Sequence, residues 1–170
     1  MGVVVGAVRT DGGADGRRYY WANVRDTIDG RANRDFTLSR WAVHVQNDFR
    51  ARLAWCVTDY AGANHPPEVV VGGARERAAK AGERIELDAS GSRDPDGQKL
   101  SFQWMHYPEA SGYRGAATRV ADTRAARTSV TLPAEAAGQT VHLIVVVTDE
   151  GSPALTRYGR IVVRVSPGEN

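Results

Sequence analysis

Cysteine, lysine and long apolar runs are all scarce in this chain of 170 residues, and each shortage excludes something. The single cysteine, Cys56, excludes an internal disulfide, so stability must come from burial. No apolar run approaches the roughly 20 residues that a membrane span requires. The opening Val3-Val4-Val5 is too short for a signal-peptide core and lacks a basic start; export would need a signal outside these residues. Only two of the 22 basic residues are lysine, and the arginines are scattered. With a net charge of +2, this balance predicts neither a nucleic-acid nor a membrane partner. The four histidines (His44, His65, His106 and His142) lack the spacing of a zinc site, and no GxSxG nucleophile elbow occurs.

The rest of the composition is that of a folded protein, 42% apolar and 25% charged, long enough for one domain with an appendage. Residues 1–35 suggest short strands at Val3–Val8 and around Arg17–Trp21, separated by a Gly- and Asp-rich loop. Two such strands cannot bury a core of their own. Next, Leu38, Trp41, Val45, Phe49, Leu53, Cys56 and Tyr60 recur at three- and four-residue spacing, predicting an amphipathic helix over 38–61. That stripe requires a cover, either the N-terminal strands or a partner subunit. Asn64-His65-Pro66-Pro67 then ends the helix and forces an extended path.

After residue 67 the apolar residues alternate, predicting strands at Val69–Val71, Arg84–Leu87, Leu100–Tyr107, Thr118–Ala121, Thr128–Leu132, Thr140–Thr148 and Tyr158–Val165. The polar Ala74–Ala81 stretch reads as a loop. Seven short strands, with Trp104 placed as a core tryptophan, predict a mostly-β chain. Its expected architecture is an immunoglobulin-like antiparallel sandwich over 63–167, preceded by a 1–62 appendage of short strands and the helix.

Two sets of residues are candidates for a site. In such a sandwich the entrance and two of the loops gather at one end, which would assemble Asn64, Asp94, Asp96, Asp149 and Glu150. Oxygen donors on flexible loops suit calcium. The same residue types also serve as turn residues bonding their own backbone. Tyr107 and Tyr113, at a strand end and in the Gly-rich loop after it, are candidates for stacking on a sugar ring, or for packing with bonded hydroxyls.

Several motifs carry a resemblance. DASGSRDPDG followed by FQW, and VTDEGSP before the last strand, resemble the polycystic-kidney-disease (PKD) and cadherin-like sandwich modules of bacterial extracellular proteins. Further motifs are Trp41, QNDF at 46–49, LAWCV at 53–57, ANHPP at 63–67, YPEA at 107–110 and LTRY at 155–158. Together they resemble the C-terminal portion of bacterial cellulose-binding-type, nucleoside-hydrolase-like proteins over residues 36–165. The resemblance implies a non-catalytic accessory module, extracellular or periplasmic, with polysaccharide as a ligand. It also implies a hydrolase-like domain, absent here, whose tail residues 1–62 would be. That domain or a second copy would meet the 38–61 stripe. A structural spacer or dimerisation module is the alternative. A nucleosidase site built on Asp11 and Asp15 is a distant third reading, because their spacing departs from the hydrolase pattern. Calcium is the sole cofactor candidate.

Overall fold

The structure is a computed structural model that describes residues 26–28, 31–33 and 36–168. The strands expected at Val3–Val8 and around Arg17–Trp21 lie outside the described residues. The chain divides into two units, Met1–Val43 and His44–Asn170. In the first, β1 (Asp26–Ile28) and β2 (Arg31–Asn33) form an antiparallel hairpin. The division falls within the helix α1 (Phe36–Trp55).

The helix ends at Trp55, short of the expected 61. Cys56 and Val57 turn back through bonds to the Leu53 and Ala54 carbonyls. Asp59 then caps a separate 3₁₀ turn at Tyr60–Gly62, accepting from the Gly62 N–H at 2.9 Å. The β-branched pair Val57-Thr58 and the capping Asp59 favour this break over another helical turn.

The second unit is the sandwich. One sheet holds β3 (Glu76–Lys80), β5 (Ser101–His106), β7 (Thr140–Thr148) and β8 (Thr156–Ser166), in the order β3-β8-β7-β5. The other holds β4 (Arg84–Asp88) and β6 (Arg127–Thr131), which an isolated bridge from Val120 to Val130 extends. Every pairing in the sandwich is antiparallel except β3 with β8. Period-two alternation aims Val141, Leu143, Val145 and Val147 of β7 into the core, alongside Ile161 and Val163 of β8. Trp104, paired with Val145 in register, is 1% exposed among them. Leu87, Val130 and Leu132 close the core from the other sheet.

Three strand expectations change. The Ala74–Ala81 stretch holds β3, a polar edge strand whose only fully buried residue is Ala79, so its sequence carries little apolar signal. Val69–Val71 forms no strand, although Val69 and Val71 pack on the core; the flanking pairing is a single bridge from Glu68 to Arg93. Thr118–Ala121 reduces to the Val120 bridge. The free edge of β5 is covered by the 121–126 loop, where the Trp104 N–H donates to the Thr123 carbonyl at 2.7 Å and its indole N–H to Ala125 at 3.0 Å.

Candidate functional site

At one end of the sandwich the entrance segment meets two acidic loops. The Asn64 amide donates to Asp149 Oδ2 at 3.2 Å and to the Pro153 carbonyl at 3.0 Å, while its own oxygen accepts from Gln98 at 2.6 Å. Gly151 passes so close to Asn64 that any side chain at 151 would collide with that amide. Next to it, the His65 N–H donates to Asp96 Oδ2 at 2.7 Å, and its Nδ1 lies 2.8 Å from Asp96 Oδ1. These bonds, the backbone donation foremost, hold the Asp96 carboxyl below its usual range. The His65 ring in turn stacks on Trp55, and Trp55 donates its indole N–H to the Asn64 carbonyl at 2.9 Å.

The residues singled out for calcium are therefore only partly brought together. Asn64 and Asp149 touch, as an amide on a carboxylate. Asp149 Oδ1 accepts from the Gly151 and Leu155 N–H groups, and Asp94 Oδ1 from those of Asp96 and Gln98. This is turn chemistry, with each short carboxylate holding its own loop. Gly97, at φ 74°, supplies the left-handed residue that the DPDG turn requires. Glu150 is exposed. Among the described residues no group of three His, Cys, Asp or Glu side chains is placed to hold a metal ion. Two oxygens here, Asp94 Oδ2 and Gln98 Oε1, are buried without a hydrogen-bond partner. Sequence reasoning did not single out Gln98 or His65, since both bonds join segments more than 30 residues apart.

The two tyrosines proposed for sugar stacking are buried instead, Tyr107 at 4% and Tyr113 at 6% exposure. The Gly-rich loop folds back on β7, with the Tyr113 N–H on the Thr140 carbonyl and the Gly112 N–H on the Thr140 hydroxyl, both at 3.0 Å. Neither ring offers a face to solvent. Beneath them lies a His–Ser pair. The Thr118 N–H points at His106 Nδ1 at 3.3 Å, so Nε2 carries the proton and donates to Ser111 Oγ at 3.1 Å. Ser111 donates to the Tyr107 carbonyl at 2.8 Å and accepts from the His142 N–H at 3.0 Å. Burial, with a smaller contribution from His142, pushes the His106 imidazolium down to about 4. With its hydroxyl proton held by a carbonyl and its neighbours neutral, Ser111 is a structural pin rather than a nucleophile.

An open concavity lies elsewhere, beside β5 and β7. A shallow groove of about 390 Å³ is lined by Ser101, Phe102, Gln103, Arg124, Val146 and Thr148, with Leu100 at its end. The Arg124 guanidinium makes no hydrogen bond or ion pair with other described residues. Gln103 uses its amide N–H on the Trp104 carbonyl, leaving its oxygen available. An arginine, an amide oxygen and two hydroxyls around a half-buried phenyl ring match a ligand that is polar at its edges and apolar on its face.

Fold and site together define an immunoglobulin-like sandwich module with residues 44–55 of the helix pinned to it. Within that class, residues 84–165 match the family described as the cellulose-binding protein Sde0182, C-terminal domain. A solved structure agrees: a nucleoside hydrolase-related hypothetical protein from Saccharophagus degradans, associated with carbohydrate metabolism. It is 38% identical and superimposes with a TM-score of 0.72 over 76% of this chain. The chain is thus similar to the C-terminal region of these proteins, as its motifs imply. It matches 33% of that protein's length. The PKD domain of the KIAA 1837 protein (18% identity, TM-score 0.43, 64% of this chain and 95% of that one) is a looser match. The Ig1 domain of mouse SynCAM 2 (12% identity, TM-score 0.29, 61% and 98%) is looser still, and neither adds to the fold assignment. No curated protein matches the chain.

Proposed function

We propose that this chain is a non-catalytic accessory module that associates with carbohydrate, cellulose-type polysaccharide first, and serves beside a hydrolase-related domain outside the cell or in the periplasm. The observation that carries this reading is the match of residues 84–165 to the C-terminal domain of a cellulose-binding protein. The β5–β7 groove supports it, because Phe102 can present an apolar edge to a pyranose ring while Gln103 and Arg124 engage its hydroxyls. The closed His106–Ser111 pair supports the non-catalytic part.

The test is retention on insoluble cellulose, read by depletion of protein from the supernatant. Retention is expected for the wild-type chain, with loss of most of it in Arg124→Ala and Gln103→Ala. A chain that folds by circular dichroism yet stays wholly in solution with every polysaccharide tried would sink the reading. A spacer or interaction role is the second reading, and the outward face of α1 favours it.

A further inference from the structure

The polarity of α1 is the reverse of what a helix seated only on its own domain requires. The face turned toward the sandwich carries His44, Asn47, Asp48, Ala51 and Trp55. His44 Nδ1 lies 2.5 Å from the Tyr158 hydroxyl, and Asn47 donates to the Ala154 carbonyl at 3.0 Å. Asp48 pairs with Arg157 at 3.1 Å, and Ala51 is 1% exposed. The opposite face carries Val45, Phe49 and Leu53, one helical turn apart, and Val57 continues the line; all four are more than half exposed. Such a run of large apolar groups in water forgoes the free energy that burial would supply. A patch of this kind marks an interaction site.

We propose that Val45, Phe49, Leu53 and Val57 form the seat of a separate folded domain, whose matching surface is an apolar groove bordered by carboxylates. This rests on the accessory-module reading above. Two observations choose the occupant. The matched family segment is a C-terminal domain, and two-thirds of the Saccharophagus protein lies outside the match, so a large body of chain is available on the helix side. The border of the stripe is cationic: Arg50 and Arg52 are exposed, and the one acid of the helix, Asp48, is turned to Arg157 and Arg52. Two copies face to face would set arginine against arginine, which disfavours self-association.

The experiment mixes this chain with the two-thirds of the Saccharophagus protein outside the match, produced as a separate polypeptide. The exposed Cys56 at the helix end is the reporter. The expected result is a one-to-one complex by light scattering, with maleimide labelling of Cys56 slowed at least tenfold. Both effects should vanish in Phe49→Glu and in Leu53→Glu and weaken with added salt. Undiminished labelling with no complex would overturn the proposal, as would a homodimer of the wild-type chain that Phe49→Glu dissociates. Cellulose retention is read on the same samples. Its loss in the wild-type chain would sink the accessory reading while leaving the docking result intact, and its survival in Phe49→Glu would show that docking and retention use different surfaces.

Discussion

The interior of the sandwich and the seat of the helix on it are held by opposite means. Inside, Trp104, Leu143, Val145, Ile161 and Val163 are at most 1% exposed and meet apolar atoms. At the seat the contacts are polar: imidazole to phenol, amide to carbonyl, carboxylate to guanidinium. The first kind of contact is non-directional and strong in sum. The second fixes orientation but contributes only about 1 kcal/mol per bond net. The helix is therefore oriented by the sandwich more than it is stabilised by it, which leaves its apolar face for another surface.

This contrast can be broken first at the core. Trp104→Ala should cost about 3–5 kcal/mol and unfold much of the population at moderate urea, because it removes both the ring and the indole bond to Ala125 in the 121–126 loop. A loss below 1 kcal/mol would mean that the core is not organised around it.

Acid is the next lever. His106 has a folded pKa of about 4, below the value of 6.5 it recovers on unfolding, so the unfolded chain binds the extra proton between these values. Stability is then full above about pH 6.5 and falls as pH drops toward 4, by up to roughly 3 kcal/mol. Burial lowers His142 and His44 as well, in the same direction. Denaturant midpoints measured from pH 7 to pH 4 should fall steadily, and His106→Asn should flatten that slope. A slope unchanged by the variant would assign the titration elsewhere.

Smaller effects separate the seat from the core. Asn64→Ala strands Gln98 and frees Asp149 Oδ2, for about 1–3 kcal/mol. Tyr158→Phe removes the bond to His44 and should cost about 1 kcal/mol. Its signature is faster amide exchange in residues 44–55 with β7 unchanged; equal acceleration in both would show that helix and sandwich unfold as one. Phe49→Glu should leave the stability of the isolated chain within about 0.5 kcal/mol, since the ring is 61% exposed. The smallest effect expected is that of millimolar calcium on the melting temperature, which should be nil. Asp149, Asp96 and Asp94 already accept from N–H groups, and a rise of several degrees would return these loops to metal binding.

Where a strand was central and alternating, the sequence was sufficient. Thr140–Thr148 is β7 residue for residue, because both its ends are marked by turns and every second side chain is apolar. It failed for Glu76–Lys80, where a single buried alanine in an edge strand leaves no period to read. The helix shows a subtler limit. Its three- and four-residue period picked out Val45, Phe49 and Leu53, which share one side of α1, but periodicity reports a stripe and not its partner. Nothing local distinguishes a face that meets the sandwich from one that does not. For Tyr107 and Tyr113 the glycines around them suggested an open loop, and the contacts with Thr140 that close it come from 28 residues away. The loop aspartates were legible as turn residues. Their attachment to Asn64 was not, being a contact across 85 residues of chain.

The one parallel pairing among the described strands carries a mechanical consequence. From Glu76 opposite Val162 to Lys80 opposite Ser166, β3 and β8 run side by side in the same direction over five matched positions. Tension applied between the helix and Pro167 would pull the start of one strand against the end of the other, along their length. The backbone bonds joining them would then be loaded together and would have to fail together, whereas a hairpin pulled open from its end loses them one at a time. A module placed between a folded body and an anchored polymer would, in this geometry, resist being drawn out from its ends.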